Sequence, residues 1–183
     1  ASPLAPGLQG PPAPLPSQVG VETGSVRFLV QPNLTESGSA NYTEIGDMRQ
    51  AANLLIYMGS PSRTFSIDAT FVSRSKSEAA ITLKYINILR SWRMPEKAGD
   101  GEFNVKSPSR LFLAGLDGQF KQIPVRMTDL SIPFNEETDY IVTGNGSVPI
   151  VWNISLTLKE ARSINELRQF NIEQFRQGTL SGW

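Results

Sequence analysis

Two segments of the chain alternate strictly between apolar and polar residues, and this pattern constrains the fold more than any other feature. The first spans residues 64–71 and the second residues 150–158. An alternation of period two places every second side chain on the same face of a β-strand. The apolar members are Phe65, Ile67, Ala69, Phe71, Ile150, Trp152, Ile154, Leu156 and Leu158. Both segments therefore predict strands with one buried face.

Shorter apolar runs predict further strands. These runs cover residues 26–30, 54–58, 110–116 and 120–127. Polar or glycine-bearing stretches at 33–42, 98–108 and 136–147 are predicted as loops and turns. The pair Asp117-Gly118 separates the last two apolar runs, which is a strong hairpin signal. The apolar positions change phase near Thr128-Asp129, so we expect a bulge or bend there.

The chain changes period between its two alternating segments, where residues 76–93 predict a helix. Ser75 and Glu78 fit a capping box, in which the serine accepts from a first-turn amide and the glutamate reaches back. Met94-Pro95 ends the run, and residues 163–177 could form a second helical stretch. The order of strands, one packed α-helix and more strands predicts a mainly β fold, either an antiparallel β-sandwich or a barrel.

Proline is concentrated at the start of the chain. Of the 13 prolines, those at positions 3, 6, 11, 12, 14 and 16 fall within the first 16 residues. Proline lacks the amide donor and keeps the preceding residue out of the helical region, so we expect no helix or central strand there. Residues 1–24 therefore predict an extended arm, 25–162 a β domain, and 163–183 a C-terminal extension. Apolar anchors at Leu4, Leu8, Leu15 and Val19 favour an arm lying across a neighbouring subunit, and a disordered leader is the alternative.

Composition narrows the function. The 183 residues include no Cys and no His, and 17 basic residues balance 17 acidic ones. The chain therefore lacks a disulfide framework, a thiolate nucleophile, the commonest general base and the commonest metal ligand. Zero net charge offers no electrostatic footprint for nucleic acid, and no apolar stretch approaches about 18 residues. We expect a structural protein rather than an enzyme, with no catalytic, cofactor or metal site and no membrane contact.

Three local constellations have a functional and a structural interpretation. Asn135, Glu136, Glu137 and Asp139 could hold a hard cation, but the EF-hand spacing is missing and a solvated acidic turn explains them better. The run Gly144-Asn145-Gly146 could cradle a phosphate, but no nucleotide-binding glycine motif surrounds it. We interpret these glycines as part of a hairpin turn.

The third constellation is basic. Arg90, Arg93 and Lys97 surround Trp92 near the end of the predicted helix. Such a group could stack and neutralise a nucleic acid. With zero net charge on the chain, cations that complement a helix C-terminus are the better explanation.

Two stretches carry a resemblance to a known family. Residues 64–78, TFSIDATFVSRSKSE, form a strand that leads through Arg and Ser into a helix bearing Tyr and Trp near its end. Residues 148–160, VPIVWNISLTLKE, form a proline-led alternating strand that runs into a Lys-Glu pair, and a Gly/Thr tail follows at 178–180. The chain resembles the tail tube initiators, or baseplate tube proteins, of contractile-tailed bacteriophages over roughly residues 26–183.

The resemblance implies a homohexameric ring in the baseplate of a myovirus virion. In that family a β-sandwich with a flanking helix contributes strands to a shared β-barrel, whose lumen passes DNA without binding it specifically. The ring lies between the central hub and spike and the tail tube, whose assembly it initiates. Its neighbours would be an adjacent tube initiator, the tail tube protein, the hub or spike and a tape measure protein. Assembly would take place in the host cytoplasm.

Two alternatives to a tube initiator stay open. One is another tail part, either the tail tube protein itself or a hub domain. The other is a His-free carboxylate hydrolase of the tail, for which Glu136, Glu137 and Asp139 are the residues to test.

Overall fold

The computed structural model describes residues 7–9, 25–28, 30–46, 52–97, 105–115, 119–134, 138–143, 146–180 and 183. The described part of the chain is mainly β, as the sequence predicts. Its strands and helices, in chain order, are β1 (Gly7–Gln9), β2 (Val26–Arg27), β3 (Asn33–Ser37), β4 (Asn41–Ile45), β5 (Leu54–Gly59), β6 (Thr64–Val72), α1 (Lys76–Ser91), β7 (Glu96–Lys97), β8 (Val105–Lys106), β9 (Leu111–Gly115), β10 (Phe120–Ser131), β11 (Tyr140–Thr143), β12 (Gly146–Pro149), β13 (Val151–Glu160), α2 (Ile164–Arg168) and α3 (Ile172–Arg176).

Seven strands form one antiparallel sheet in the order β2-β1-β9-β10-β13-β6-β3, which curls into a half-barrel. Next to the edge strand β3, the two alternating segments pair with each other, from Val151 opposite Val72 to Lys159 opposite Thr64. Their apolar members from Phe65 to Phe71 and from Trp152 to Leu158 are buried. The prediction of strands with one buried face is therefore confirmed.

Helix α1 packs into the same core as the buried face of the sheet. Its residues Ala79, Ile86 and Leu89 belong to one apolar cluster with the buried side chains of β6, β9, β10 and β13. Burying a Leu, Ile or Phe side chain stabilises a fold by about 1.5–3 kcal/mol. This cluster therefore supplies the main driving force for folding.

The start of α1 agrees with its predicted cap, and its end differs slightly. The Ser75 hydroxyl accepts a hydrogen bond from the Glu78 amide at 3.2 Å. The Glu78 carboxylate reaches back to the amide of Arg74 at 2.7 Å, one residue before the cap. The helix ends at Ser91, two residues before the predicted boundary, because the chain turns ahead of Met94-Pro95.

The predicted sandwich differs from the observed arrangement. In the described ranges, the strands form the seven-stranded sheet and three separate two-stranded hairpins, β4–β5, β7–β8 and β11–β12. These six strands pair only within their own hairpins, so the described ranges contain no second large sheet facing the first. Helix α1 contacts β11 and β12 on the core side.

Several predicted loops contain strands. The stretch 33–42 holds β3 and the start of β4, the stretch 136–147 holds β11 and the start of β12, and β8 lies in 98–108. The mostly polar β3 and the exposed β8 are held mainly by backbone hydrogen bonds to their neighbours. Strands β11 and β12 also bury apolar residues, since Val148 belongs to the core and Ile141 packs against it. The remaining residues 98–104 lie outside the described part of the chain.

The sequence signals around β9 and β10 are confirmed where the structure describes them. These strands pair as neighbours in antiparallel orientation, as the Asp117-Gly118 hairpin signal predicts, although that dipeptide lies outside the described residues. The pairing of β10 with β13 shifts register between Met127 and Asp129, where the apolar phase changes. The helical stretch predicted at 163–177 is divided into α2 and α3.

One part of the predicted arm enters the sheet. Strand β1 pairs with β2 on one side and β9 on the other, so it is not an edge strand. This contradicts the expectation that the prolines of the arm preclude an internal strand. The reason is local, since Gly7–Gln9 lies in the proline-free interval between Pro6 and Pro11 and keeps its amide donors. Residues 1–6 and 10–24 lie outside the described residues, so the arm boundary stays a prediction.

Candidate interaction surface

The hairpin β4–β5 stands apart from the rest of the domain. Its strands pair with each other and share no extensive contact with any other described helix or strand. Two-stranded hairpins without further packing are only marginally stable in water. An element of this kind needs a partner to hold it in place.

Large apolar side chains cover this hairpin on both faces. Met58 is 66% exposed, and Leu54 and Leu55 on opposite faces of β5 are exposed to a similar extent. The exposed large hydrophobic residues of the hairpin, here called the hairpin surface, are Tyr42, Ile45, Leu54, Leu55, Ile56, Tyr57 and Met58. Scattered exposed hydrophobic residues are normal, but a contiguous group of this size marks a protein contact.

Contacts within the hairpin give it a defined shape. The rings of Tyr42 and Tyr57 meet edge to face across the strands, with centroids 5.6 Å apart. The Tyr57 hydroxyl lies 2.6 Å from that of Ser60. Asn53 donates a hydrogen bond of 3.0 Å to the Glu44 carboxylate near the far end of the hairpin. The apolar side chains are therefore presented on a connected scaffold.

An ion-pair network holds the base of the hairpin to the sheet. Arg63 donates to Glu36 of β3 at 2.8 Å and to Glu160 of β13 at 2.9 Å, and Glu160 also accepts from Arg162. Burial alone would raise the pKa of Glu160, but hydrogen bonds from Arg63 and Arg162 outweigh it and lower that pKa. Burial likewise opposes the hydrogen bonds that raise the pKa of Arg63. Glu160 and Arg63 therefore both stay charged near neutral pH.

A second apolar surface lies on the C-terminal extension. Helices α2 and α3 have no buried residue, and each presents an apolar pair at i, i+3 spacing, which puts both side chains on one helix face. The exposed large hydrophobic residues here, called the C-terminal surface, are Ile164, Leu167, Phe170, Ile172 and Phe175. This surface also has no extensive contact with other described strands or helices.

Two contacts attach the C-terminal extension to the domain. Arg110, just before β9, pairs with Glu166 of α2. Hydrogen bonds from the Ser163 backbone and from Arg110 lower the pKa of Glu166 to about 2. Trp183 lies between the Arg162 guanidinium, 3.6 Å from its ring centroid, and the Phe170 ring at 4.6 Å. Arg162 thus links the terminal tryptophan to the ion network at the base of the hairpin.

The acidic and glycine constellations are only partly described. Asn135, Glu136 and Glu137 lie outside the described residues, and the carbonyl of Asp139 accepts from the amide of Ile150 at 2.8 Å. Among the residues that the structure describes, no group of three acidic side chains could hold a metal ion. Gly146 opens β12 with a positive φ of 125°, as a hairpin glycine would, while Gly144 and Asn145 lie outside the described residues.

The basic constellation does not present a stacking platform. Trp92 is half-buried and packs against the core at the end of α1, where Arg90 lies in the last helical turn. Arg93 is exposed, and Lys97 lies in β7. The position of Arg90 agrees with the interpretation of cations that complement the helix C-terminus, whereas Arg93 and Lys97 lie beyond the last helical turn.

A cleft beside β13 is lined by Thr138, Tyr140 and Trp152 with apolar neighbours. Among its lining residues that the structure describes there is no carboxylate, Lys or Arg. None of the helices in the described ranges is long and apolar enough to cross a membrane.

The sequence interpretation missed both apolar surfaces. A usable signal was present in residues 54–58, where five consecutive apolar residues follow each other without alternation. A continuous apolar strand presents apolar side chains on both faces and needs cover on both. In the C-terminal extension, the i, i+3 pairs indicated a helix face with no evident partner in the chain.

Comparisons with known proteins add a likeness to a solved structure. No protein family model matches the chain, and no curated protein matches it. Among solved structures, the chain is similar to one from the tail of an empty GTA particle, solved by helical refinement with C6 symmetry. The TM-score is 0.35 at 13% sequence identity, covering 87% of this chain and 92% of that one.

Proposed function

We propose that this protein is a structural component of a phage tail that works by associating with copies of itself and with neighbouring tail proteins. The hairpin surface is the observation that carries the proposal. It presents seven large hydrophobic side chains on an element that shares no extensive contact with any other described helix or strand. Leaving that area in water is costly at about 25 cal/mol per Å², so a protein partner that covers it gains affinity.

The specific role that we propose within a phage tail is based on the family resemblance. The strand and helix at 64–78 and the long strand at 148–160, which carry the resemblance, correspond to β6 with the start of α1 and to β12 with β13. We therefore propose a baseplate tube initiator that forms a hexameric ring between hub and tail tube. In this arrangement the sheets of neighbouring copies join into one barrel, which removes their exposed edges.

The edge of the seven-stranded sheet formed by β3 is compatible with pairing to the sheet of a neighbouring copy. Strand β3 forms one edge, and its pairing with β6 runs from Asn33 to Ser37 without a register shift. Edge strands are often guarded by Lys, Pro or bulges within the strand, and β3 contains none of these. Among the described strands β3 pairs with β6 alone, so its other side is available for a strand of a second copy in the proposed ring.

The proposal is tested by the assembly state of the purified protein. We expect rings or short tubes by electron microscopy, and a mass several times 20.1 kDa by sedimentation. Leu55→Glu should leave a folded monomer, because it places a charge in the hairpin surface. Val105→Glu is the matched control, since Val105 is 67% exposed in β8 and lies in neither surface. A monomeric wild type at high concentration would contradict the proposal.

Copy number separates the alternatives within a tail. Six copies per particle fit an initiator, whereas many stacked rings fit the tail tube protein. A hydrolase would instead lose peptidoglycan cleavage when Glu136, Glu137 and Asp139 are replaced by their amides. We propose that the protein is not an enzyme and expect no cleavage before or after these substitutions.

A further inference from the structure

We propose that the hairpin surface of one copy is covered by the C-terminal surface of the next copy. The inference rests on the self-association in the proposed function and names the two surfaces that meet. Together these surfaces hold 12 of the 21 exposed large hydrophobic residues in the described ranges. One contact between copies would cover more than half of these exposed residues.

The hairpin and the C-terminal extension, which carry the two surfaces, both leave the sheet at the same end. The end of β3 at Ser37 pairs with the start of β6 at Thr64, which pairs with Lys159 near the end of β13. The hairpin connects β3 to β6, and the C-terminal extension follows β13. Rotation about a ring axis preserves height along that axis. When the strands run along the axis, the hairpin of one copy and the C-terminal extension of the next lie at the same level.

The charges of the two surfaces are complementary. Glu44 on the hairpin accepts a hydrogen bond from Asn53 but pairs with no cation in the described ranges. Glu166 of the C-terminal extension pairs with Arg110, which lies just before β9. Within the extension, Arg176 pairs with Glu173 at 2.8 Å. Arg168 is left without a carboxylate partner among the residues that the structure describes. Among the described residues, the hairpin thus has one anion without a cation partner and the C-terminal extension one cation without a carboxylate partner.

Two different surfaces that fit each other give a heterologous, head-to-tail contact. Such a contact closes into a ring when the rotation between copies allows it. A hairpin that paired with the same hairpin of a second copy would instead stop at a two-fold dimer and would place two Glu44 side chains on one interface. The opposite charges favour the head-to-tail arrangement.

The absence of cysteine in the natural chain permits a clean crosslinking test. Met58→Cys marks the hairpin surface and Ile164→Cys marks the C-terminal surface, at positions 66% and 70% exposed. Each variant is purified alone, and the two are mixed and treated with a short bifunctional thiol reagent. We expect a crosslinked dimer in the mixture and little in either variant alone.

The matched control replaces one partner by Val105→Cys, which is 67% exposed in β8. Mixtures of Val105→Cys with either surface variant should crosslink only at background level. Crosslinking of Met58→Cys with itself at the level of the mixture would overturn the head-to-tail contact. Assembly without any Met58–Ile164 crosslink would also overturn it, while leaving the proposed function intact. Absence of assembly would count against the proposed function itself.

A charge exchange tests the same contact without a reagent. Glu44→Arg and Arg168→Glu should each weaken association by about fivefold, as expected for an exposed ion pair turned repulsive. The double variant should recover most of the wild-type affinity, because the pair is restored with its charges exchanged. Lys84→Glu on the exposed side of α1 is the control and should change nothing. Additive loss in the double variant would rule out a Glu44–Arg168 pair.

Discussion

Strands β5 and β6 follow each other in the chain and have opposite relations to the core. Strand β5 reads LLIYMG and is the more apolar, yet Leu54, Leu55 and Met58 are exposed. Strand β6 reads TFSIDATFV and is half polar, yet its apolar members from Phe65 to Phe71 are buried. Apolar content alone therefore does not predict burial. A half-buried strand needs alternation, whereas a continuous apolar strand needs cover on both faces, and this monomer does not cover β5 on either.

The contrast extends to the rest of the described chain. The seven-stranded sheet and α1 form a core within one chain, while the hairpin and the C-terminal extension carry exposed apolar side chains. Four experiments test this division, and each is carried out on the monomer at concentrations too low for association.

The largest effect is expected from Phe65→Ala. Phe65 is fully buried and meets Phe120 edge to face at 5.7 Å. Truncating such a side chain costs about 3–5 kcal/mol of unfolding free energy. Leu55→Ala in β5 should cost less than about 0.5 kcal/mol, as an exposed substitution does. Urea denaturation of both variants compares them, and equal losses would contradict the division between core and hairpin.

The next effect is expected from Arg63→Ala at the base of the hairpin. The substitution leaves Glu160 with Arg162 alone and removes the bond to Glu36. Losing hydrogen bonds to a partly buried charged group should cost about 2 kcal/mol. Arg176→Ala, which breaks an exposed pair on α3, is the control and should cost at most about 0.5 kcal/mol. A similar loss of unfolding free energy in both variants would show that the Arg63 ion-pair network stabilises the fold no more than an exposed ion pair does.

Two serine caps allow a matched comparison of helices. Ser75 caps α1, whose inner face is buried, and Ser163 caps α2, which has no buried residue. Ser75→Ala should lower the unfolding free energy by about 1 kcal/mol. Ser163→Ala should lower it less, because α2 can fray without opening the core. Thermal unfolding followed by circular dichroism measures both variants. A larger loss of stability in Ser163→Ala than in Ser75→Ala would contradict the view that α1, and not α2, belongs to the core.

The smallest effect is expected from Glu166→Gln and concerns acid. The pKa of Glu166 is lowered to about 2 in the folded chain, against about 4.3 for a free Glu. A carboxyl whose pKa falls on folding stabilises above its unfolded pKa, and that stabilisation is lost as pH falls toward 2. The variant should therefore lose less stability than wild type between about pH 4.3 and 2. Glu160 keeps a slope of the same sign in both chains, since its pKa is also lowered. If stability falls equally with pH in Glu166→Gln and in wild type, the attachment of α2 through the Arg110–Glu166 pair is contradicted.

Local patterns were sufficient for the core elements. The alternation at 64–71 and 150–158 and the Ser75 cap predicted β6, β13 and α1, because each signal arises from neighbours in the chain. Strand β3 was missed, since its polar residues are held by hydrogen bonds to β6 about 30 residues away rather than by a local preference. Strand β1 was missed because the surrounding prolines masked three residues that can pair.

By itself, the sequence determined the strands that have one buried face, the helix that packs on them, and the lack of cysteine and histidine chemistry. The sequence also contained the apolar run of β5, but it did not indicate whether that run is buried or exposed. Only the tertiary structure decided that β5 pairs with β4 alone and that the C-terminal helices leave the domain beside it. Burial depends on what the rest of the chain brings to each face, and a pattern within one strand cannot specify that.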